Sequence, residues 1–412
     1  MGDLIVSVDI GTSKVCTLIG RVNKNSQLDI AGRGMSPCAG LKKGIIIDIE
    51  STASCVKSSI QEAESEADIK VGSAYVNIHG MHVSVINNKS WISISNGNRE
   101  ITQHDIDNVL HSVRDIDFPD DRQLIDVVPR QYIIDGYDEI IDPVGMVGTK
   151  LEVDADIVVG KITSVQNIVK SIERAGIQID GIVAEAFATG EISLTQDERD
   201  MGVVLLDVGG GLTDISVYQG KRLVFYDSIP VGGDHITNDI AIGLHITNIE
   251  AEKIKRQFEL ALTSLIKNDQ EISVLDINEN KKKNVKVSEV VEIIEARVYE
   301  IFSLCRNQLE KAGSLISPDG GVVLTGAGIS YVDGCKQLAQ EVFEVPVRVV
   351  QATQLQGVVK PEFIASAGII RYVANIKKRG SQASEIKQKK YGKQQPKETL
   401  FDKIKKFFKE IF

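Results

Sequence analysis

Two short runs concentrate the residues that could do chemistry. Leu4-Ile5-Val6-Ser7-Val8-Asp9-Ile10-Gly11-Thr12-Ser13-Lys14 and Val203-Val204-Leu205-Leu206-Asp207-Val208-Gly209-Gly210-Gly211-Leu212-Thr213-Asp214 each read as a buried strand ending in Asp-x-Gly. A Gly-rich bend between strands turns successive backbone N–H groups toward one point, and the missing side chains let phosphate oxygens approach closely. The carboxylates of Asp9 and Asp207 then stand where they can hold Mg2+, or its water shell, against those phosphates. One such turn alone is also an ordinary hairpin. Two copies in the same strand context read as paired clamps enclosing a nucleoside triphosphate from both sides.

The elements around the clamps repeat as well. After each Gly comes a short turn, a second strand (14–21 and 213–218), another turn, and a third strand (29–35 and 223–229). The copies lie about one domain length apart, so the chain reads as two similar halves facing each other. Between them, 83–161 reads as a compact α+β insert. Its strands are 83–87, 90–95, 124–134 and 153–159, and its helix 103–113 is opened by Thr102 with Asp105 three residues later. A helix over 165–175 with Val165, Ile168, Val169 and Ile172 on one face returns the chain to the first half. The polar stretch 264–286 reads as a loop or surface excursion, and 290–312 as a long amphipathic helix.

A chain of 412 residues, 42% of them hydrophobic, is long enough for two or more cores. No apolar run approaches the roughly 20 residues of a spanning helix, and the first residues pass into a strand with neither a basic n-region nor a cleavage site. The five cysteines form no Cys-x-x-Cys and the six histidines no metal-ligand spacing, so any metal is expected to arrive with a ligand. Net charge is −10, yet Lys377 to Phe412 carries twelve Lys/Arg against four Asp/Glu. An acidic body argues against nucleic acid, and a basic tail suits an anionic membrane surface.

These motifs resemble the actin, Hsp70 and sugar kinase superfamily, which implies duplicated ribonuclease-H-like domains and a bound ATP with Mg2+. The first phosphate loop matches at Asp9, Gly11, Thr12, Ser13 and Lys14, and the second at Asp207, Gly209, Gly210, Gly211 and Thr213. The first inter-domain connection matches at 183–190, where the resemblance makes Glu185 the residue that orients the attacking water; a carboxylate that favours a helix N-terminus is the plain alternative. The adenosine motif matches at 322–328, with Gly326, Ala327 and Gly328, and the second connection at 365–370. Glu252 and Lys255 match a helix that contacts ribose and base, or else form a surface i,i+3 pair. Gly233, in Gly232-Gly233-Asp234, matches a phosphate-side turn.

The insert and the phrase from Gly232 to Ala241 resemble the FtsA family of bacterial cell-division proteins, and less closely the PilM family of pilus-assembly proteins. The FtsA likeness spans about 3–374. It implies an actin-like polymer that recruits division proteins and holds the tubulin-like FtsZ at the membrane, with Arg297 and Glu300 as candidates for the face that docks the FtsZ C-terminal peptide. A solvated i,i+3 pair is the alternative. The implied division of the chain is 1–82, 162–197 and 359–376 for the first half, 83–161 for the insert, and 198–358 for the second half.

The tail is read from physics. Residues 377–397 are Lys-, Gln-, Ser- and Gly-rich and are expected to be a flexible linker. In 398–412 the apolar residues Leu400, Phe401, Ile404, Phe407, Phe408, Ile411 and Phe412 fall on one helical stripe, with Lys403, Lys405, Lys406 and Lys409 on or beside the other face. Such a helix fits the lipid–water interface, or packs on a partner. The seven apolar side chains contribute about 10 kcal/mol by area, against an ordering cost of roughly 1 kcal/mol per residue. One tail is therefore expected to bind reversibly and several tails on one polymer firmly. A small-molecule kinase of the same superfamily has no use for this tail, and an Hsp70-type chaperone needs a substrate domain for which the chain is too short.

Overall fold

The computed structural model describes residues 4–23, 25–220, 222–313, 319–352 and 360–391, with side chains as far as Lys378. The apolar run at the start becomes β1 (Ile5–Ile10), which pairs antiparallel with β2 (Lys14–Val22), itself paired with β3 (Leu28–Pro37). A small hairpin, β4 (Leu41–Lys42) and β5 (Ile45–Ile46), leads into α1 (Ile49–Ala67). Asp48 caps that helix by accepting the Ser51 N–H at 3.0 Å. The face of α1 carrying Val56, Ile60 and Ala63 is buried in the first half. Next, β6 (Ser73–Ile78) runs parallel beside β1.

The insert follows as β7 (Val83–Ser93), α2 (Gln103–Ser112), β8 (Arg122–Ile134), β9 (Tyr137–Ile140) and β10 (Lys150–Lys161), with sheet order β7-β10-β8-β9. Thr102 and Asp105 form the reciprocal capping box of α2. The break expected near 88–89 does not occur. Asn87 donates to Asp154 and to the Ala155 carbonyl, both at 3.0 Å, and Asn88 donates to the Val113 carbonyl at 2.9 Å. The asparagines satisfy neighbouring groups instead of turning the chain, so β7 stays paired with β10 along its length. The short strand β9 carries no comparable periodic signal.

The chain returns through α3 (Ile162–Arg174) to β11 (Gln178–Ala184), parallel to β6, and then α4 (Glu185–Ser193) and α5 (Gln196–Met201). The second half contains β12 (Val203–Val208), β13 (Thr213–Gln219), β14 (Arg222–Ile229), α6 (Gly233–Leu244) and α7 (Asn248–Phe258). The stretch expected as a loop or surface excursion holds a hairpin, β15 (Glu271–Asp276) with β16 (Lys281–Lys286), anchored by buried Val274 and Val285. Then come α8 (Val287–Lys311), β17 (Val322–Thr325), α9 (Cys335–Phe343) and β18 (Val347–Val349).

The duplication is plain in the topology. The first sheet has the order β3-β2-β1-β6-β11 and the second β14-β13-β12-β17-β18. Each is an antiparallel meander of three strands followed by two parallel ones.

The chain closes on α10 (Ile364–Tyr391), which packs on α4. The helix continues to Tyr391, so 377–391 of the expected linker is helical, and 392–397 lies outside the described residues. Lys, Gln, Glu and Ala lose little side-chain freedom in a helix, so a segment unable to build a core still extends one already nucleated by buried Ile364, Ile369, Ile370 and Val373. The expected membrane helix, 398–412, lies outside the described residues. No helix among the described residues is long and apolar enough to cross a membrane.

Candidate functional site

The two Asp-x-Gly turns close in the same way. The Gly11 N–H donates to the Lys14 carbonyl at 3.0 Å, and the Gly209 N–H to the Leu212 carbonyl at 2.9 Å. The first loop is braced from behind by the Cys38 N–H on the Ser13 carbonyl, 2.9 Å, and by the Gly44 N–H on the Thr12 hydroxyl, 3.1 Å. The second is braced by the start of α6, where the N–H groups of Gly233 and Asp234 donate to the carbonyls of Gly209 and Gly210 at 2.9 and 2.8 Å. Across the cleft the Ser13 hydroxyl donates to Asp234 at 2.6 Å, so the loops face each other. A Cβ on Gly210 would run into the Ser13 hydroxyl, and one on Gly211 would meet the Thr12 side chain at 2.5 Å.

Carboxylates gather beside the loops. Asn77, at the end of β6, donates its side-chain amide to Asp9 at 2.6 Å and to Glu185 at 2.9 Å, while its side-chain oxygen Oδ1 accepts the Ile10 N–H at 2.7 Å. No side chain caps the first turn of α4; the Glu185 carboxylate is turned to Asn77. Asp214 of β13 lies opposite Asp207 in register. It accepts from the Gly80 N–H at 2.9 Å, stands 3.0 Å from His79 Nδ1, and also receives the Ser228 hydroxyl. The contacts from His79 and Gly80 clip the two halves together.

Burial sets the charge state of this cluster. It pushes Asp9 up to about 6 and Asp207 up to about 7, and raises Glu185 well above the ordinary range, with the neighbouring carboxylates adding to the effect. Burial opposes the charge on His79. Asp214, Glu185 and Asp9 outweigh it and hold the imidazolium up to about 10. Among the described residues no three His, Cys, Asp or Glu side chains are arranged to bind a metal by themselves. The carboxylates therefore fit a cation that brings oxygen ligands of its own, such as phosphates.

The remaining candidate residues all belong to the second half. Gly326 holds a left-handed φ of 95°, and any Cβ there would strike the Asp207 carboxylate and the Val208 carbonyl. Ala327 is half-buried, and the Gly328 N–H donates to the Val208 carbonyl at 2.8 Å. Lys255 is 3% exposed and Glu252 39%, so only the lysine end of their 2.6 Å pair is buried; its ammonium also reaches Thr237 at 2.7 Å and the Gly233 carbonyl at 3.1 Å. The Thr213 hydroxyl is buried on the Val231 carbonyl at 2.8 Å, where it shapes the turn toward Gly233. Arg297 lies elsewhere in the second half, joined to Asp239 of α6 and to Glu300, both at 2.5 Å.

Asn77, His79, Arg256 and Tyr331 join the site without a motif in the sequence that names them. The last two stack, with the guanidinium 3.8 Å from the ring centroid. A signal for the first two existed, since Asn77 and His79 are polar residues at the end of an apolar strand.

A family model for cell division protein FtsA matches residues 204–368, and one for the SHS2 domain inserted in FtsA matches residues 80–159. The cell division protein FtsA of Pseudomonas aeruginosa is 32% identical over 415 residues, covering 100% of this chain and 99% of that protein. That of Bacillus subtilis is 35% identical over 398 residues, covering 97% and 88%. The chain belongs to the FtsA family.

Solved structures extend the likeness of fold beyond FtsA. A PilM–PilN type IV pilus biogenesis complex matches with TM-score 0.59 at 17% identity, over 90% of this chain and 98% of that one. MreB 5 of Spiroplasma citri bound to AMPPNP matches with TM-score 0.54 at 15% identity, over 93% and 99%. The fold is that of the actin-like ATPases. The residues present fit a magnesium nucleotide: glycine backbone that a Cβ would block, a lysine beside the first loop, and buried carboxylates whose ionised forms need a cation.

Proposed function

We propose that this FtsA-family chain binds MgATP between its two halves, assembles into an actin-like polymer on the cytoplasmic face of the cell membrane, and there anchors FtsZ and recruits later division proteins. The observation that supports it most is the pair of identically closed loops set face to face. Their backbone amides and Lys14 would take the phosphates, Asp9 and Asp207 would hold Mg2+ through water, and Glu252, Lys255 and Gly326 to Gly328 would flank the nucleoside. Mg2+ supplies charge neutralisation at the phosphates. Glu185, buried and fixed by Asn77, is placed to orient a water molecule, and burial among neighbouring carboxylates raises its pKa well above the ordinary range.

The stripe from Leu400 to Phe412 would lie in the lipid interface at the division site, with Lys403, Lys405, Lys406 and Lys409 toward anionic headgroups. Arg297 and Glu300 would receive the C-terminal peptide of FtsZ. The test is co-sedimentation with anionic liposomes, comparing the full chain with one ending at Gln395, each with and without MgATP. The full chain alone should pellet, more strongly with MgATP, and should then carry FtsZ down. Equal behaviour of the two chains would make the tail a partner-binding helix instead.

A further inference from the structure

Glu362 sits in the turn Pro361–Phe363 that opens α10, between cations that arrive from opposite halves. Its carboxylate stands 3.6 Å from Lys14 Nζ, at the start of β2, and 4.0 Å from Arg256 Nη1, on α7. The Glu362 side chain is 15% exposed, so water screens the pair only partly. Arg256 is fixed on its other side by Glu252 at 3.0 Å, and it stacks on Tyr331, whose buried hydroxyl has no hydrogen-bond partner among the described residues. A line of charge thus runs from the phosphate loop of the first half to the nucleoside wall of the second.

The separation of Lys14 and Glu362 decides what the pair can do. At 3.6 Å it is an ion pair too long for a good hydrogen bond, so the three donors of the ammonium stay available for shorter contacts. A triphosphate offers more negative charge and more acceptor oxygens than one carboxylate, and it competes for the same lysine. We propose that Glu362 is a positioning residue that competes with the nucleotide phosphates for Lys14, and so sets how strongly this cleft prefers a nucleoside triphosphate over the bare nucleoside.

This rests on the nucleotide reading of the cleft. In that reading Lys14 moves from Glu362 to the phosphates on binding, and the freed carboxylate keeps only Arg256. Glu362 therefore weakens triphosphate binding by the strength of its hold on Lys14, and it has no equivalent grip on a ligand without phosphates.

The test is equilibrium binding of MgATP and of adenosine to the full-length protein, for wild type, Glu362→Gln, Lys14→Met and the double variant. Glu362→Gln keeps the size and hydrogen-bonding reach of the side chain while removing its charge. It should raise the ratio of MgATP to adenosine affinity roughly 2- to 5-fold, the size expected for a partly screened ion pair. In the Lys14→Met background the same substitution should leave that ratio where Lys14→Met alone puts it. A purely structural role would shift both ligands together and keep the ratio at its wild-type value, which overturns the inference while leaving the nucleotide reading intact. Wild-type protein that binds neither ligand overturns the nucleotide reading, and this inference with it.

Discussion

The two halves share a backbone and divide the labour of their shared site. Asp9 and Asp207 close equivalent strands in equivalent registers, one opposite Cys16 and the other opposite Asp214. The first loop presents side chains: Thr12, Ser13 and Lys14. The second presents bare backbone at Gly209, Gly210 and Gly211. Behind Asp9 stands Asn77 with three hydrogen bonds, whereas Asp207 has Thr325 beside it on β17, whose hydroxyl is buried without a partner among the described residues. Duplication preserved the turn that gathers amides, and the chemistry diverged around it. Both loops cannot carry side chains, because Gly210 and Gly211 face Ser13 and Thr12 at contact distance.

The largest difference should appear behind the two aspartates. Asn77→Ala leaves a backbone N–H and two carboxylates without their donor or acceptor in a buried site, and should cost about 2–4 kcal/mol of unfolding free energy. Thr325→Val replaces an unpartnered buried hydroxyl with a methyl of the same shape, and should be neutral or stabilising by up to about 1 kcal/mol. Denaturant unfolding of the two variants measures both. Equal losses would mean that the asymmetry between the halves is not energetic.

Acidity sharpens the comparison at a smaller scale. A carboxyl whose pKa is raised on folding binds its proton more tightly in the native state, so it destabilises the fold when ionised, and that cost disappears as pH falls through the raised value toward the ordinary one. For Asp207, raised to about 7, the window opens near neutrality; for Asp9, raised to about 6, it opens lower. Asp207→Asn should therefore gain on wild type by on the order of 1 kcal/mol more at pH 8 than at pH 6. The corresponding gain for Asp9→Asn should develop mostly below pH 7. Parallel stability profiles for wild type and Asp207→Asn would remove the distinction.

How far the site is legible without coordinates follows from the same contrast. The loops are legible because a buried strand running into Asp-x-Gly is a local pattern, and its repetition marks the duplication that the sheet order later displays. Asn77 and His79 show in the sequence only as polar residues at the end of an apolar strand, because their partners Asp9, Glu185 and Asp214 come from distant parts of the chain. Lys255 reads as a surface residue from its i,i+3 partner alone; only the packing of α7 on α6 buries it against Gly233 and Thr237. The run after Lys377 shows the converse error. Its composition offers no core of its own, yet a helix nucleated on buried residues continues as far as Tyr391 through a sequence whose propensity permits it.

The smallest effect tests whether the two loops act on each other directly. Ser13 donates to Asp234 at 2.6 Å across the cleft, and Asp234 in turn donates its own N–H to the Gly210 carbonyl. A hydroxyl-to-carboxylate bond of this length is charge-assisted, but it lies in an exposed place where water competes for both groups. Ser13→Ala and Asp234→Asn should each cost little alone, and their double-mutant cycle should show a coupling of about 0.5–1 kcal/mol. A coupling of zero would mean that the loops merely lie side by side, and that closure of the cleft depends on the buried clip from His79 and Gly80 to Asp214. A larger value would make this hydrogen bond the latch through which the side-chain loop of one half senses the glycine loop of the other.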